Sequence, residues 1–190
     1  VPEGVHGHDW NTGLAFAYLR QLGLGRASKP ATVFTIHNLA YQGVFPAELR
    51  VRLGLPDVLF HLNGIEYHGQ ISFMKAGLKY ADAITTVSPT YAREITGQEQ
   101  GCGLDGVLRK RHNVLHGILN GVDDAVWNPV TDAQVQPGYD AEQLDGKALA
   151  KARLQKEMKL QPLKSALLFC VVSRLTEQKG LHLLPCLLYT

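Results

Sequence analysis

The chain has 190 residues, 45% of them apolar, and a formal net charge of +2. That suffices for a core of domain size, and the charge is too small to argue for nucleic acid as a partner. Cys102, Cys170 and Cys186 are odd in number and widely spaced, which fits a reduced cytoplasmic protein rather than a disulfide framework; no apolar run reaches the ~20 residues of a membrane span.

Residues 1–8 open without a basic-then-apolar leader and read like the middle of a domain. The first helix is expected over 13–22, with Asn11-Thr12 as its cap and Leu14, Ala17, Tyr18 and Leu22 on one face. A β-rich run at 31–36, "ATVFTI", then meets His37-Asn38. Ser72 is placed to cap a helix over 73–80, where Phe73, Ala76, Gly77 and Tyr80 follow i, i+3, i+4, i+7 spacing. A second strand, "AITTV" at 83–87, leads into Ser88-Pro89, a cap followed by proline at the first helical position. A third apolar run covers 114–119. Residues 120–140 carry Asn-Gly, Asn-Pro and Pro-Gly turn signals and no periodicity, which suggests a crossover between two domains. A charged helix is expected over 141–160, half-buried through Leu144, Leu149, Leu154 and Met158. A fourth strand is expected over 166–173, "ALLFCVVS". The chain then stops inside an apolar run, "LHLLPCLLYT", without a capping signal. Together with the abrupt start, this reads as an internal piece of a longer protein.

Strands alternating with helices imply an α/β fold with a parallel sheet covered on both faces. In such folds ligands bind at the carboxyl ends of strands. Each apolar run is followed by groups that could serve such a crevice: His37-Asn38, Ser88-Pro89, Asn120-Gly121, and the stretch from Arg174 to Lys179.

"HGHDW", residues 6–10, admits three readings. His6, His8 and Asp9 are permissible metal ligands, but a third histidine directly after the aspartate is absent. His8 or Asp9 could instead cap the following helix, or Asp9 could bind substrate. His37 and Asn38 together offer donors and acceptors at fixed angles, which sugar hydroxyls require, although a satisfied core histidine has the same spacing. "NGVD" at 120–123 is by itself a turn. In "SRLTEQKG", Arg174 and Lys179 end a strand five residues apart, and two converging cations can neutralise a diphosphate. The flanking glycines of a Walker loop are missing.

Taken together, "HGHDWNTGLA", "FTIHNLAYQGVFP", "NGIEYHGQISFMKAGLKYADAITTVSPTYAREI", "GLDGVLRKR", "GILNGVDDAVWNP" and "VVSRLTEQKGL" resemble the bacterial glycogen synthases. These belong to glycosyltransferase family 5, shared with plant starch synthases. The resemblance implies the GT-B architecture, two Rossmann-like domains facing across a cleft, both incomplete here. Residues 1–119 would be the later half of the amino-terminal domain, 120–140 the crossover, and 141–190 the start of the nucleotide-sugar domain. The implied reaction transfers glucose from ADP-glucose to the non-reducing end of an α-1,4-glucan (glycogen) with retention, in the cytoplasm. No metal or other cofactor, nucleic acid or membrane is implied. Position by position, the resemblance implies that Asp9, His37 and Asn120 surround the donor glucose with Asn38 beside them, and that Arg174 and Lys179 grip the diphosphate. The family's Lys-x-Gly-Gly-Leu loop and its carboxyl-terminal glutamate are absent from these residues, and "PCLLYT" departs from the family pattern. Little or no activity is therefore expected from residues 1–190 alone. Two other readings stay open: a glucan-binding module using Trp10, Tyr41, Phe45 and Tyr67, and a GT-B transferase using another nucleotide sugar.

Overall fold

The computed structural model describes residues 2–21 and 30–188. It divides into two compact units, Val1–Gly121 and Val122–Thr190. In the first unit, strand β1 (Gly4–His8) runs into helix α1 (Asp9–Gln21), followed by β2 (Ala31–Ile36). Next come β3 (Val44–Pro46), α2 (Leu49–Arg52), β4 (Glu66–Tyr67), β5 (Gln70–Ser72) and α3 (Phe73–Tyr80). The unit continues with β6 (Ala83–Thr86), α4 (Pro89–Glu94), α5 (Asp105–Lys110) and β7 (Leu115–Gly117). Strands β1, β2, β6 and β7 form one parallel sheet in that spatial order. A small antiparallel sheet, β3-β5-β4, lies beside it.

The parallel sheet expected from the alternation is present. The strand at Gly4–His8 was not anticipated, because two histidines and two glycines mask its pattern. Helix α1 begins at Asp9, earlier than the capping signal suggests. Thr12 does not cap it; its hydroxyl donates to the carbonyls of His8 and Asp9 at 3.0 and 3.2 Å. Leu22 lies outside the described residues. Ser72 and Ser88 cap as anticipated: their hydroxyls accept from the N–H of Lys75 at 3.1 Å and of Tyr91 at 2.9 Å.

Alternation along β2 decides what each sheet face does. Phe34 and Ile36 point into a core with Phe16, Met74, Leu78, Ile84 and Leu108, all essentially inaccessible. The opposite face is polar. His6 Nε2 meets Thr35 Oγ1 at 2.7 Å, and Thr35 meets Thr85 Oγ1 at 2.6 Å. A second core joins α1 and α3 to the small sheet through Leu14, Ala17, Leu55, Leu59, Ile71 and Ala76. There α1 presses against α3 at Gly13: a Cβ on that residue would stand 1.8 Å from the Phe73 carbonyl oxygen.

Two polar locks fix the sheet's amino edge. The Asp82 carboxylate accepts from the Thr32 N–H at 2.9 Å and hydroxyl at 2.7 Å. The Arg111 guanidinium donates to the carbonyls of Leu78, Lys79, Ala81 and Asp82 at 2.6 to 3.2 Å. That cation satisfies the orphan carbonyls where α3 ends and offsets the negative end of its dipole. Arg111→Met in the full chain is expected to lower unfolding free energy by about 1.5–3 kcal/mol, the scale of a charged hydrogen bond. Urea denaturation checks this; a change under about 0.5 kcal/mol, the level of an unremarkable surface substitution, would refute the role.

In the second unit, residues 122–144 are irregular, as the turn signals imply. Short side chains hold the turns: Asp123, Asn128, Asp132 and Asp140 each accept from backbone N–H groups two or three residues ahead, at 2.7–3.2 Å. Helix α6 (Asp145–Glu157) follows, and α7 (Leu183–Leu188) closes the unit. Two expectations fail here. Residues 166–173 are not a strand, and Leu144, Leu149, Leu154 and Met158 are 40% or more exposed. Both departures have one cause. A strand needs a neighbour for its backbone hydrogen bonds, and no other strand occurs among the described residues after 121. Phe169 and Val172 are accordingly 84% and 95% exposed, and α6 has no sheet face on which to lay its leucines.

Candidate active site at the carboxyl edge of the parallel sheet

The four parallel strands deliver His8-Asp9, His37-Asn38, Ser88 and the stretch after Gly117 to one edge of the first unit. Three of the expected site residues meet there. Asp9, the first residue of α1, directly follows β1 and lies in the left-handed region, at φ 53°, a conformation aspartate tolerates better than most residues. Its carboxylate does not cap its own helix. Oδ1 reaches the next strand and accepts from the backbone N–H of His37 at 2.8 Å and of Asn38 at 3.3 Å. One carboxylate oxygen therefore holds the turn on which the imidazole and the carboxamide are mounted.

His37 is exposed, and its Nε2 lies 3.0 Å from Nδ1 of His8, a contact in which one ring donates and the other accepts. The His6 ring stands 4.3 Å from that of His8. Its pKa is lowered, first by burial and then by the charges of His8 and His37. Among the described residues no group of three or more His, Cys, Asp or Glu is placed to hold a metal ion. Asn38 Oδ1 accepts from Ala40 N–H at 3.1 Å, which closes the turn. The Tyr91 hydroxyl accepts from Leu39 N–H at 3.1 Å. Burial raises the Tyr91 pKa above its ordinary value.

Behind the turn, Gly43 adopts φ 57°, and a Cβ there would stand 2.3 Å from the Trp10 ring. Trp10 packs on Phe45 and Phe73 at 5.8 and 6.3 Å between centroids. Trp10 and Phe45 thus support the site from beneath, and the Tyr67 hydroxyl donates to the Cys102 carbonyl at 2.9 Å. Of the four aromatics considered for sugar stacking, Tyr41 alone is more than half exposed.

Asn120 follows β7 by three residues on the same sheet edge and is exposed. Arg174 and Lys179 belong to the second unit and are exposed. Lys179 ends a single 3₁₀ turn, Glu177–Lys179, which Gly180 terminates at φ 71°. The structure therefore joins Asp9, His37 and Asn38 directly, whereas Asn120 follows the outer strand β7 by three residues and makes no hydrogen bond with them among the described residues. His8 and Tyr91 escaped the sequence reading as partners of this turn. No sequence signal points to His8, because its place depends on the parallel pairing of β1 with β2, which sets the ends of "HGH" and "FTIH" side by side.

A parallel sheet with polar groups gathered on its carboxyl edge is the architecture of ligand-binding doubly wound α/β proteins. The starch synthase catalytic domain family matches residues 1–110, and the chain belongs to that family. It is 60% identical over 184 residues to a glycogen synthase of Albidiferax ferrireducens, covering 97% of the chain and 37% of that relative. A glycogen synthase of Francisella tularensis subsp. novicida is 54% identical over 185 residues, with coverage of 96% and 38%. The chain thus spans little more than a third of the length of these curated relatives. Among solved structures, it resembles the catalytic domain of starch synthase IV from Arabidopsis thaliana, bound to ADP and acarbose. The TM-score is 0.82 at 31% identity, over 99% of this chain and 39% of that one. The fold class is α/β of the GT-B type.

Proposed function

We propose that the full chain carrying these residues is a glycogen or starch synthase. It transfers glucose from ADP-glucose to the non-reducing end of an α-1,4-glucan with retention, in the cytoplasm. The observation that supports this reading best is the Asp9 carboxylate clamped on the His37-Asn38 turn at the sheet's carboxyl edge. Family membership and the likeness to an ADP-bound starch synthase domain support it further. Residues 1–119 form the later half of the amino-terminal Rossmann-like domain, 120–140 the crossover, and 141–190 the start of the nucleotide-sugar domain.

In this reading each residue has a physical task. Breaking the bond from C1 of glucose to the diphosphate leaves positive charge on the sugar and negative charge on departing ADP. Arg174 and Lys179 stabilise the leaving diphosphate, and cations held in place before reaction cost no reorganisation when the charge develops. His37 and Asn120 hydrogen-bond the glucose hydroxyls, Asn38 frames the turn, and Asp9 fixes it, so that the sugar is held in reacting geometry. The acceptor hydroxyl attacks from the face of the leaving group, and the departing phosphate takes its proton. The reaction needs no metal in this scheme.

The test is incorporation of labelled glucose into glycogen by the full chain, with ADP-glucose and UDP-glucose compared as donors. ADP-glucose is expected to be preferred. Arg174→Ala and Lys179→Ala are each expected to lower donor kcat/KM by about 100-fold, the scale of losing one preorganised stabilising group. No incorporation from either donor would overturn the reaction. Unchanged donor kinetics in both variants would overturn the diphosphate role. A preference for UDP-glucose would overturn the assigned donor.

A further inference from the structure

A cavity of about 400 Å³ opens between α3, α5 and the loop at 62–68. Of its lining residues only Tyr67 also figures around the candidate active site. Three lysines line it, Lys75, Lys79 and Lys110, together with Asn63, Glu66 and Tyr67. Their situations differ. Lys75 is 4% exposed. Its ammonium donates to the carbonyl of Leu62 at 2.8 Å and to that of Glu66. Its task is to pin the loop, and its charge lies in the cavity floor.

Lys79 and Lys110 have no such anchor. Neither appears in an ion pair or side-chain hydrogen bond among the described residues. Lys79 is half-buried in the last turn of α3, and its pKa is lowered by burial, then by Arg111 and Lys110. Arg111 is already committed to four backbone carbonyls. Three lysines and one carboxylate, Glu66, therefore line the cavity, and the Glu66 charge acts on Lys75, which leaves Lys79 and Lys110 in excess. The nearby carboxylate, Glu66, accepts from Gly69 N–H at 2.7 Å. A hydrated surface lysine loses little by lacking a partner. Two lysines that face one cavity over a third, buried one repel each other, and an anion relieves that repulsion.

We propose that this cavity binds a phosphate monoester of sugar size. Lys79 and Lys110 hold the phosphate, and Asn63 and Glu66 meet the hydroxyls. The volume falls within the range of small-ligand sites, about 300–1,000 Å³. Glu66 sets the selectivity: its carboxylate accepts from a sugar hydroxyl and repels a second phosphate group. The site is independent of glucosyl transfer.

Isothermal titration calorimetry on the full chain, with glucose 6-phosphate and inorganic phosphate as probes, tests this. The hexose phosphate is expected to bind about tenfold more tightly than phosphate. The double variant Lys79→Gln/Lys110→Gln is expected to weaken it at least about tenfold, or about 1.4 kcal/mol. Arg174→Ala/Lys179→Ala should leave it unchanged, which separates this cavity from the donor site. Should the double variant fail to fold, Lys110→Glu, at one exposed position, is expected to weaken binding in the same direction. Three results would each overturn the proposal. One is the absence of binding heat from glucose 6-phosphate. Another is equal affinity for both probes, which would indicate a general anion patch. The third is binding that survives the lysine substitutions and disappears with Arg174→Ala/Lys179→Ala.

Discussion

Asp9→Ala in the full chain is expected to lower glucosyl transfer by about 100-fold while the protein still folds. The Asp9 oxygen is the acceptor for two consecutive backbone N–H groups, those of His37 and Asn38. Alanine leaves both donors without their partner and frees the turn that carries His37, assigned to the sugar, with Asn38 beside it. A displacement of about 1 Å at a reacting centre is worth about 100-fold in rate. The loss should fall mainly on kcat, because the turn positions the sugar more than it binds it. Asp9→Asn keeps one oxygen that can accept, so it should retain much more activity, within about tenfold of the parent. Steady-state kinetics with ADP-glucose decide the matter. Equal losses in the two variants would show that the negative charge, rather than the acceptor geometry, is what matters. Full activity in Asp9→Ala would remove Asp9 from the site altogether.

The second large effect concerns folding. Gly13→Ala should destabilise the full chain by about 3 kcal/mol, the upper end for overpacking a close contact. The added methyl would lie 1.8 Å from the Phe73 carbonyl oxygen and 2.6 Å from its carbonyl carbon. Both atoms are backbone at the start of α3, so no rotamer change relieves the clash. The two helices must separate, and the core of Leu14, Ala17 and Ala76 opens with them. Gly54 supplies the control. It has φ 62° and nothing within 4 Å of an added Cβ. Gly54→Ala therefore meets only left-handed strain, about 1–2 kcal/mol. Urea unfolding of both variants separates crowding from strain. A Gly13→Ala loss no larger than that of Gly54→Ala would contradict the close helix crossing.

Much of the first unit is legible in its residues, and the reasons differ by element. The runs at 31–36 and 83–87 read as strands because their β-branched and aromatic residues fill a buried sheet. Ser72 and Ser88 read as caps because a short hydroxyl side chain before a helical pattern has few other uses. β1 was illegible because its outward face carries His6 and His8 where a buried strand would carry valine. The second unit misleads for the opposite reason: 166–173 has the composition of a strand, but composition cannot supply a neighbour. In the site, the residue types at Asp9, His37 and Asn38 pointed to polar chemistry at a strand end. That Asp9 acts through its neighbour's backbone could not be read from types, since it depends on β1 and β2 lying side by side.

The register of the parallel sheet bears on how the chain reaches this state. Gly4 pairs with Ala31, Val33 with Ala83, and Ile84 with Leu115. Each pairing closes a loop of several tens of residues before any ladder bond forms, and entropy of closure is lost before contact energy is gained. The hydrogen bonds of α1 and α3 are local in sequence, whereas those of the sheet are not. The rate of refolding is therefore set by the encounter of distant strands. During that delay the strand edges stand open to pairing with other molecules, and the Asp9 clamp, which joins β1 to the end of β2, closes only once they have met.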